Sequence, residues 1–226
     1  MKRSLPVLLL SAACMAHGAG KDSDAERLGQ AAQVFQEIMQ APDKAVPQEL
    51  LDRAECVVVI PGVKKGAFVF GVEYGRGFFS CRAKGGQGWS APGAVRVEGG
   101  SFGFQLGGSE TDLIMLVMNP RGADRLLSSQ FTLGGDASAA AGPVGRSTTA
   151  RTDAFMTAQI LTWSRSRGVF AGLSLTGATL RQDLASNKAL YGRALENREI
   201  IRGGVPPPPS AKDFLALLSK YSPRKG

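Results

Sequence analysis

The stretch Leu133-Gly-Gly-Asp-Ala-Ser-Ala-Ala-Ala-Gly-Pro-Val-Gly-Arg146, with Ser164-Arg-Ser-Arg-Gly-Val-Phe-Ala-Gly-Leu-Ser-Leu-Thr-Gly177 beyond it, decides what kind of fold this chain adopts. Glycines and small side chains at this density suit tight turns and strands that pack closely. Almost none of these residues does acid–base chemistry. Gly142-Pro-Val-Gly-Arg-Ser147 has the look of a phosphate loop, but its spacing is wrong and the lysine is missing. Pro143 also removes an N–H that a phosphate would need.

The same bias extends over the whole chain. It has 29 glycines among 226 residues, nearly twice the usual share, without the Gly-X-Y period of collagen. A hydrophobic fraction of 43% is enough for a real core in one ordinary domain. The 27 basic residues outnumber the 19 acidic ones, for a formal charge of +8, which favours anionic partners.

Met1 to Gly20 reads as an export leader: Lys2 and Arg3 precede an apolar run, Leu5 to Ala13, too short to span a bilayer. Two processing sites compete. Ser11-Ala-Ala-Cys14 approaches a bacterial lipobox, with Cys14 as the lipidated residue, and is preferred; the alternative is ordinary cleavage after Ala16 or Gly18. The expected location is the periplasm, with a lipid anchor in the outer membrane. Cys56 and Cys81 lie in apolar, strand-like surroundings, where buried inert thiols are the default. An oxidising compartment would allow a bridge if their Cα atoms come close enough.

Periodicity divides the rest. Ser23 to Gln40 has the stripe of an amphipathic helix, capped by Ser23 or Asp24 and ended by Pro42, and Val46-Pro47 opens a short second helix. Cys56 to Ile60 is a β-branched strand expected to stop at Pro61-Gly62, and strands continue over Ala67 to Val72, Gly77 to Ala83 and Gly93 to Gly107. Gly71, Gly75 and Gly77 share one face, as do Gly99, Gly103 and Gly107. Such rows admit a helix, a ligand or a neighbouring sheet, or let a barrel bend sharply. Asp112 to Met118 is a buried strand, Asn119-Pro120 starts a short helix, and Asp153 to Ser164 pairs with Val169 to Thr176 in a hairpin. Arg181 to Tyr191 reads as a helix, Pro206 to Pro209 as a polyproline spacer, and Asp213 to Tyr221 as a terminal helix. The fold class is therefore α+β, with a glycine-rich antiparallel sheet, open or barrel-like, flanked by helices. The division is 1–20 leader, 21–204 domain, 205–226 spacer and short helix.

Catalytic chemistry is poorly supplied. The only histidine, His17, sits in the leader, so triads built on imidazole are excluded from a mature form lacking it. A zinc site lacks ligands. Glu73, Glu98, Glu110, Asp112 and Asp136 lie in or near the sheet, but no spacing singles out a pair for glycosidase-type work. No dinucleotide fingerprint is present, and no cofactor is expected. Gly75-Arg-Gly77 with Phe78 and Phe79 alternates as an ordinary strand, and export argues against nucleic acid as a partner.

Against this background the Leu133 to Arg146 run closely resembles the signature of the SYLF family. Further matching parts are Ile60-Pro61 through Ala67, Gly75-Arg-Gly77, Gly103-Phe-Gln-Leu-Gly-Gly108, Gly168-Val-Phe-Ala-Gly-Leu-Ser-Leu175 and Asn187-Lys-Ala-Leu-Tyr-Gly192. They are collinear over Ala25 to Gly204. The resemblance implies a non-catalytic, lipid-binding domain, with phosphoinositides bound by eukaryotic relatives, anionic phospholipid as the ligand in a bacterial setting, and actin binding in fungal relatives. An exported protein would not meet actin. Trp163 stands where a tyrosine is common, and Asp22, Asp24, Glu26 and Glu37 make the first helix unlike a basic membrane-surface anchor.

The expected head-group contacts are Lys64 and Lys65 at a strand-to-strand turn, Arg165 and Arg167 at a hairpin tip, and Arg76 and Arg146 beside glycines. Arg146 has an alternative role as a structural partner of Asp136. The leading function is binding of anionic phospholipid head groups at an envelope membrane surface. The alternative is an envelope scaffold that binds protein partners, and a third is a carrier holding a lipid tail inside the sheet.

Overall fold

Ser23 closes a capping box with Glu26, its hydroxyl accepting from the Glu26 N–H while the Glu26 carboxylate accepts from the Ser23 N–H, and α1 runs from there over Asp24–Gln40. Leu28, Phe35 and Ile38 form its fully buried stripe. The computed structural model describes residues 23–41, 46–67, 71–83, 85, 88–101, 109–143, 157–166, 169–172 and 175–223. After α1 come α2 (Gln48–Arg53), β1 (Cys56–Ala67), β2 (Gly71–Cys81), β3 (Gly93–Ser101), β4 (Ser109–Val117), α3 (Pro120–Leu126), β5 (Gln130–Thr132), β6 (Ala139–Ala141), β7 (Ile160–Ser166), β8 (Val169–Gly172) and β9 (Thr179–Gln182). Then follow α4 (Leu184–Tyr191), α5 (Asn197–Arg202) and α6 (Lys212–Tyr221).

One curled sheet holds the nine described strands in the order β5-β9-β3-β2-β1-β4-β7-β6, with β8 also on β7. Every pairing is antiparallel except β6 with β7. The α+β class and the curled antiparallel sheet flanked by helices follow the sequence reading. Alternation along β1 separates two cores. Val57 and Val59 face outward beneath α1 and α6, with Phe78, Ile114 and Trp163. Val58 and Ile60 face into the curl with Phe79, Val95, Met115 and Leu180. Each fully buried side chain of this size contributes about 1.5–3 kcal/mol.

β1 does not stop at Pro61-Gly62. It carries on to Ala67 across a bulge, where its register slips against both β2 and β4. Proline is tolerated at such an irregularity, and Gly62 takes φ +58°, where a side chain would be strained. The bulge also changes the alternation. Ile60 and Val63 both face the inner core, so Lys64 comes out on the α1 side rather than pointing into it. Lys64 and Lys65 therefore lie within a strand, not at a turn. The bare positions Gly75 and Gly77 receive this bent strand: a Cβ on Gly77 would stand 2.2 Å from the Val59 carbonyl oxygen. The sharp-bend reading of the glycine row is the one realised there, while Gly103 and Gly107 fall outside the described residues.

Three further expectations change. Cys56 and Cys81 are directly opposed in register, with Cα atoms 3.9 Å apart, and form a disulfide. A bridge closing a loop of this length contributes about 3 kcal/mol. The helix expected from Arg181 begins only at Leu184, because Arg181 belongs to β9 and Asp183 caps the helix by accepting from the Ser186 N–H. The segment after the prolines is joined to the main body: Phe214 and Leu218 are fully buried against the outer core. Arg82 binds the Ser222 carbonyl at 2.7 Å and stacks 4.0 Å above Trp89.

Within the opening stretch, Gly142 sits against the buried Trp163, whose indole N–H donates to the Pro143 carbonyl at 3.0 Å. A Cβ on Gly142 would lie 2.0 Å from the indole ring. Gly142→Ala is therefore expected to lower unfolding free energy by about 1–3 kcal/mol, read from the urea midpoint by tryptophan fluorescence.

Candidate functional site

Two ionic clasps hold α1 across the outer face of the sheet. At its start, Asp24 pairs with Arg27 at 2.6 Å and with Arg76 of β2 at 3.6 Å. Arg76 Nε also binds Asp183 at 2.7 Å, and the Ser186 hydroxyl donates to Asp24 at 2.8 Å. At its far end, Glu37 pairs with Arg165 of β7, whose Nε lies 2.7 Å from Asp112 of β4. The other Asp112 oxygen accepts from the Gly62 N–H of the bulge at 2.9 Å.

Between the clasps runs a groove of about 670 Å³. Arg27, Gln30, Gln33 and Val34 of α1 form one wall; Pro61, Gly62, Lys64, Tyr74, Gly75, Arg76, Glu110, Asp112 and Arg165 form the other. The groove brings together Lys64, Arg76 and Arg165 of the expected cations. Lys65 follows Lys64 in β1, opposite Glu73 and Ser109. Arg146, Arg167 and Cys14 lie outside the described residues. Asp136 accepts from the Thr132 N–H at 2.8 Å.

The expected cations do unequal work. Arg76 and Arg165 hold carboxylates and fasten α1, whereas Lys64 is exposed and makes no ion pair with a described residue. Arg27, Gln30 and Gln33 were not singled out from the sequence, since polar residues on a helix opposite its buried stripe read as solvated. Among the described residues, no three histidine, cysteine or carboxylate side chains converge as metal ligands, and no helix is long and apolar enough to cross a membrane.

Burial alone would raise the pKa of Asp183, but the hydrogen bond and charge of Arg76 and the Ser186 N–H hold it below its ordinary 3.8. A carboxylate depressed in this way contributes stability above its unfolded pKa and loses it as pH falls through the folded value. Asp183→Asn is expected to cost about 2–3 kcal/mol at pH 7, from the lost charge-assisted bonds and cap. The gap from wild type should narrow below pH 3.8, a trend that urea melts across the acid range check.

The model of the family described as Ysc84, Las17-binding protein actin regulator, matches residues 98–221. The chain is 30% identical over 203 residues to SH3 domain-containing YSC84-like protein 1 of Rattus norvegicus, covering 88% of this chain and 59% of that protein. It is 31% identical to the Xenopus laevis protein of the same name over 183 residues, 80% of this chain and 54% of that one. It is 32% identical to LAS seventeen-binding protein 3 of Saccharomyces cerevisiae over 192 residues, 81% of this chain and 41% of the yeast protein. The chain thus spans little more than half the length of these relatives, or less. The family's description is that of a binding regulator, not of a catalyst. With its match covering more than half of the chain, the protein belongs to the Ysc84 family, the SYLF group that the glycine-rich signature resembles.

Proposed function

We propose that this protein binds anionic phospholipid at a membrane surface, without catalysis, through the end of the sheet that carries Lys64 and Lys65. The observation that supports this reading is the company those cations keep. Three large hydrophobic side chains stand exposed among the described residues, and two of them, Tyr74 at 46% and Val169 at 53%, lie at that end. Tyr74 is opposite Lys64, while Val169 follows Arg165 and is opposite Ser166. An exposed lysine beside an exposed aromatic side chain, with an exposed aliphatic one at the same end of the sheet, suits the boundary between head groups and acyl chains. The ion pairs of Arg76 and Arg165 give them a positioning part, and Arg146 and Arg167 carry no part of this reading.

Each lysine near an anionic surface is worth about 1 kcal/mol, so removing two weakens binding on the order of thirtyfold. In co-sedimentation with vesicles of increasing phosphatidylglycerol content, wild-type binding should rise with anionic fraction and fall with salt. Lys64→Glu with Lys65→Glu should lose most of it. Folded protein that ignores anionic content would overturn the reading.

A second reading, a scaffold for protein partners, is supported by the names of the relatives, one of them a LAS seventeen-binding protein. It is the reading that remains if the vesicle series shows no binding.

The proposed setting is the periplasm, with Cys14 carrying a lipid that joins the basic surface as a second membrane signal. The Cys56–Cys81 bridge supports it, because oxidising compartments keep such bonds. Intact mass of the protein from its native cell should show a diacylglyceryl adduct on Cys14. A chain retaining Met1 and free thiols would contradict export.

A further inference from the structure

The charged residues of the groove are matched in pairs with two exceptions. Arg27, Arg76, Arg165 and Asp112 all take part in the clasps. Lys64 and Glu110 are both exposed and line the groove, and their side chains form no ion pair or hydrogen bond with a described residue. They are directly opposed in the β1–β4 register, and Tyr74 opposes Lys64 from the other side in the β1–β2 register. The outer face therefore presents the row Glu110, Lys64, Tyr74 across three adjacent strands, in a groove that Gln30 and Gln33 of α1 also line.

This row offers one negative and one positive group a strand apart, in a surround already neutralised by its own ion pairs. We infer that the groove recognises a zwitterionic phosphate–ammonium head group of the phosphoethanolamine type. The phosphate takes Lys64 and the Tyr74 hydroxyl; the ammonium takes Glu110. Adjacent strands are about 4.8 Å apart, the reach of the two-carbon arm that joins the phosphate and nitrogen of ethanolamine. A primary ammonium donates hydrogen bonds to a carboxylate, whereas a quaternary one depends on an aromatic cage, and a single ring stands in the row. A doubly anionic head group would meet Glu110 with no second unmatched cation. The lipid form of the inference rests on the membrane-surface reading above and adds to it a choice among head groups.

The test holds phosphatidylglycerol constant and exchanges phosphatidylcholine for phosphatidylethanolamine in the vesicles, with soluble glycerophosphoethanolamine titrated separately by calorimetry. Wild type should bind the phosphatidylethanolamine vesicles about tenfold more tightly, the worth of one charge-assisted hydrogen bond. Glu110→Gln should bring that ratio to one, and Lys64→Gln should lower it. Binding of the soluble ester without a vesicle preference would assign the groove to a free metabolite of the same chemistry. Equal binding to both vesicle types with no uptake of the soluble ester overturns the inference, as does an unchanged ratio in Glu110→Gln. If the ratio is lost while the response to anionic content persists, the groove assignment alone fails. If the anionic response is absent while the soluble ester binds in a Glu110-dependent way, the membrane-surface reading alone fails.

Discussion

The irregularity in β1 at Pro61-Gly62 is the constraint on which the candidate site depends. A regular strand of period two would carry Lys64 to the inner core, where an unpaired ammonium is prohibitively expensive. The slipped register keeps Val63 inside and turns Lys64 outward. The same bend brings β1 down onto β2, and only because Gly75 and Gly77 have no side chains is there room for it. Gly62 then offers its N–H to Asp112, which draws Arg165 and, through it, the end of α1 into the same network.

The outer face is thus built from apolar contacts with an ionic frame. Leu28, Phe35 and Ile38 supply most of the free energy holding α1, and the clasps at Asp24 and Glu37 set where along the sheet it rests. Partly exposed ion pairs add modest stability, so their role here is chiefly geometric. They leave a polar groove whose own arginines are spoken for. A lipid-binding role for this domain therefore rests on the few charges that the frame leaves over, not on its total basicity.

Much of the fold was legible in the residues. The cap at Ser23, the stripe over Leu28 to Ile38, the β-branched run at Cys56 and the Asn119-Pro120 helix start each carry a local signal that the tertiary structure respects. Misreadings came where local and non-local signals conflict. Pro61-Gly62 is a strong stop in isolation, but pairing on both sides carries the strand through it. Arg181 has good helix propensity, yet sheet pairing with Arg96 and Gln130 claims it first. Polyproline reads as a separator, although Phe214 beyond it was already an apolar anchor in need of a surface.

The chemistry of the chain was set by its sequence: the scarcity of imidazole, the excess of basic residues and the ordered glycine motifs that mark the family. Which cations are available was decided by the tertiary structure alone. Arg76, Arg165 and Lys64 look alike in a sequence, each a cation near a strand or turn. Only folding brings Asp183 and Asp112 within 2.7 Å of the two arginines and leaves Lys64 exposed beside Glu110. The partners lie 107 and 53 residues away in the chain, a separation across which no local pattern carries information.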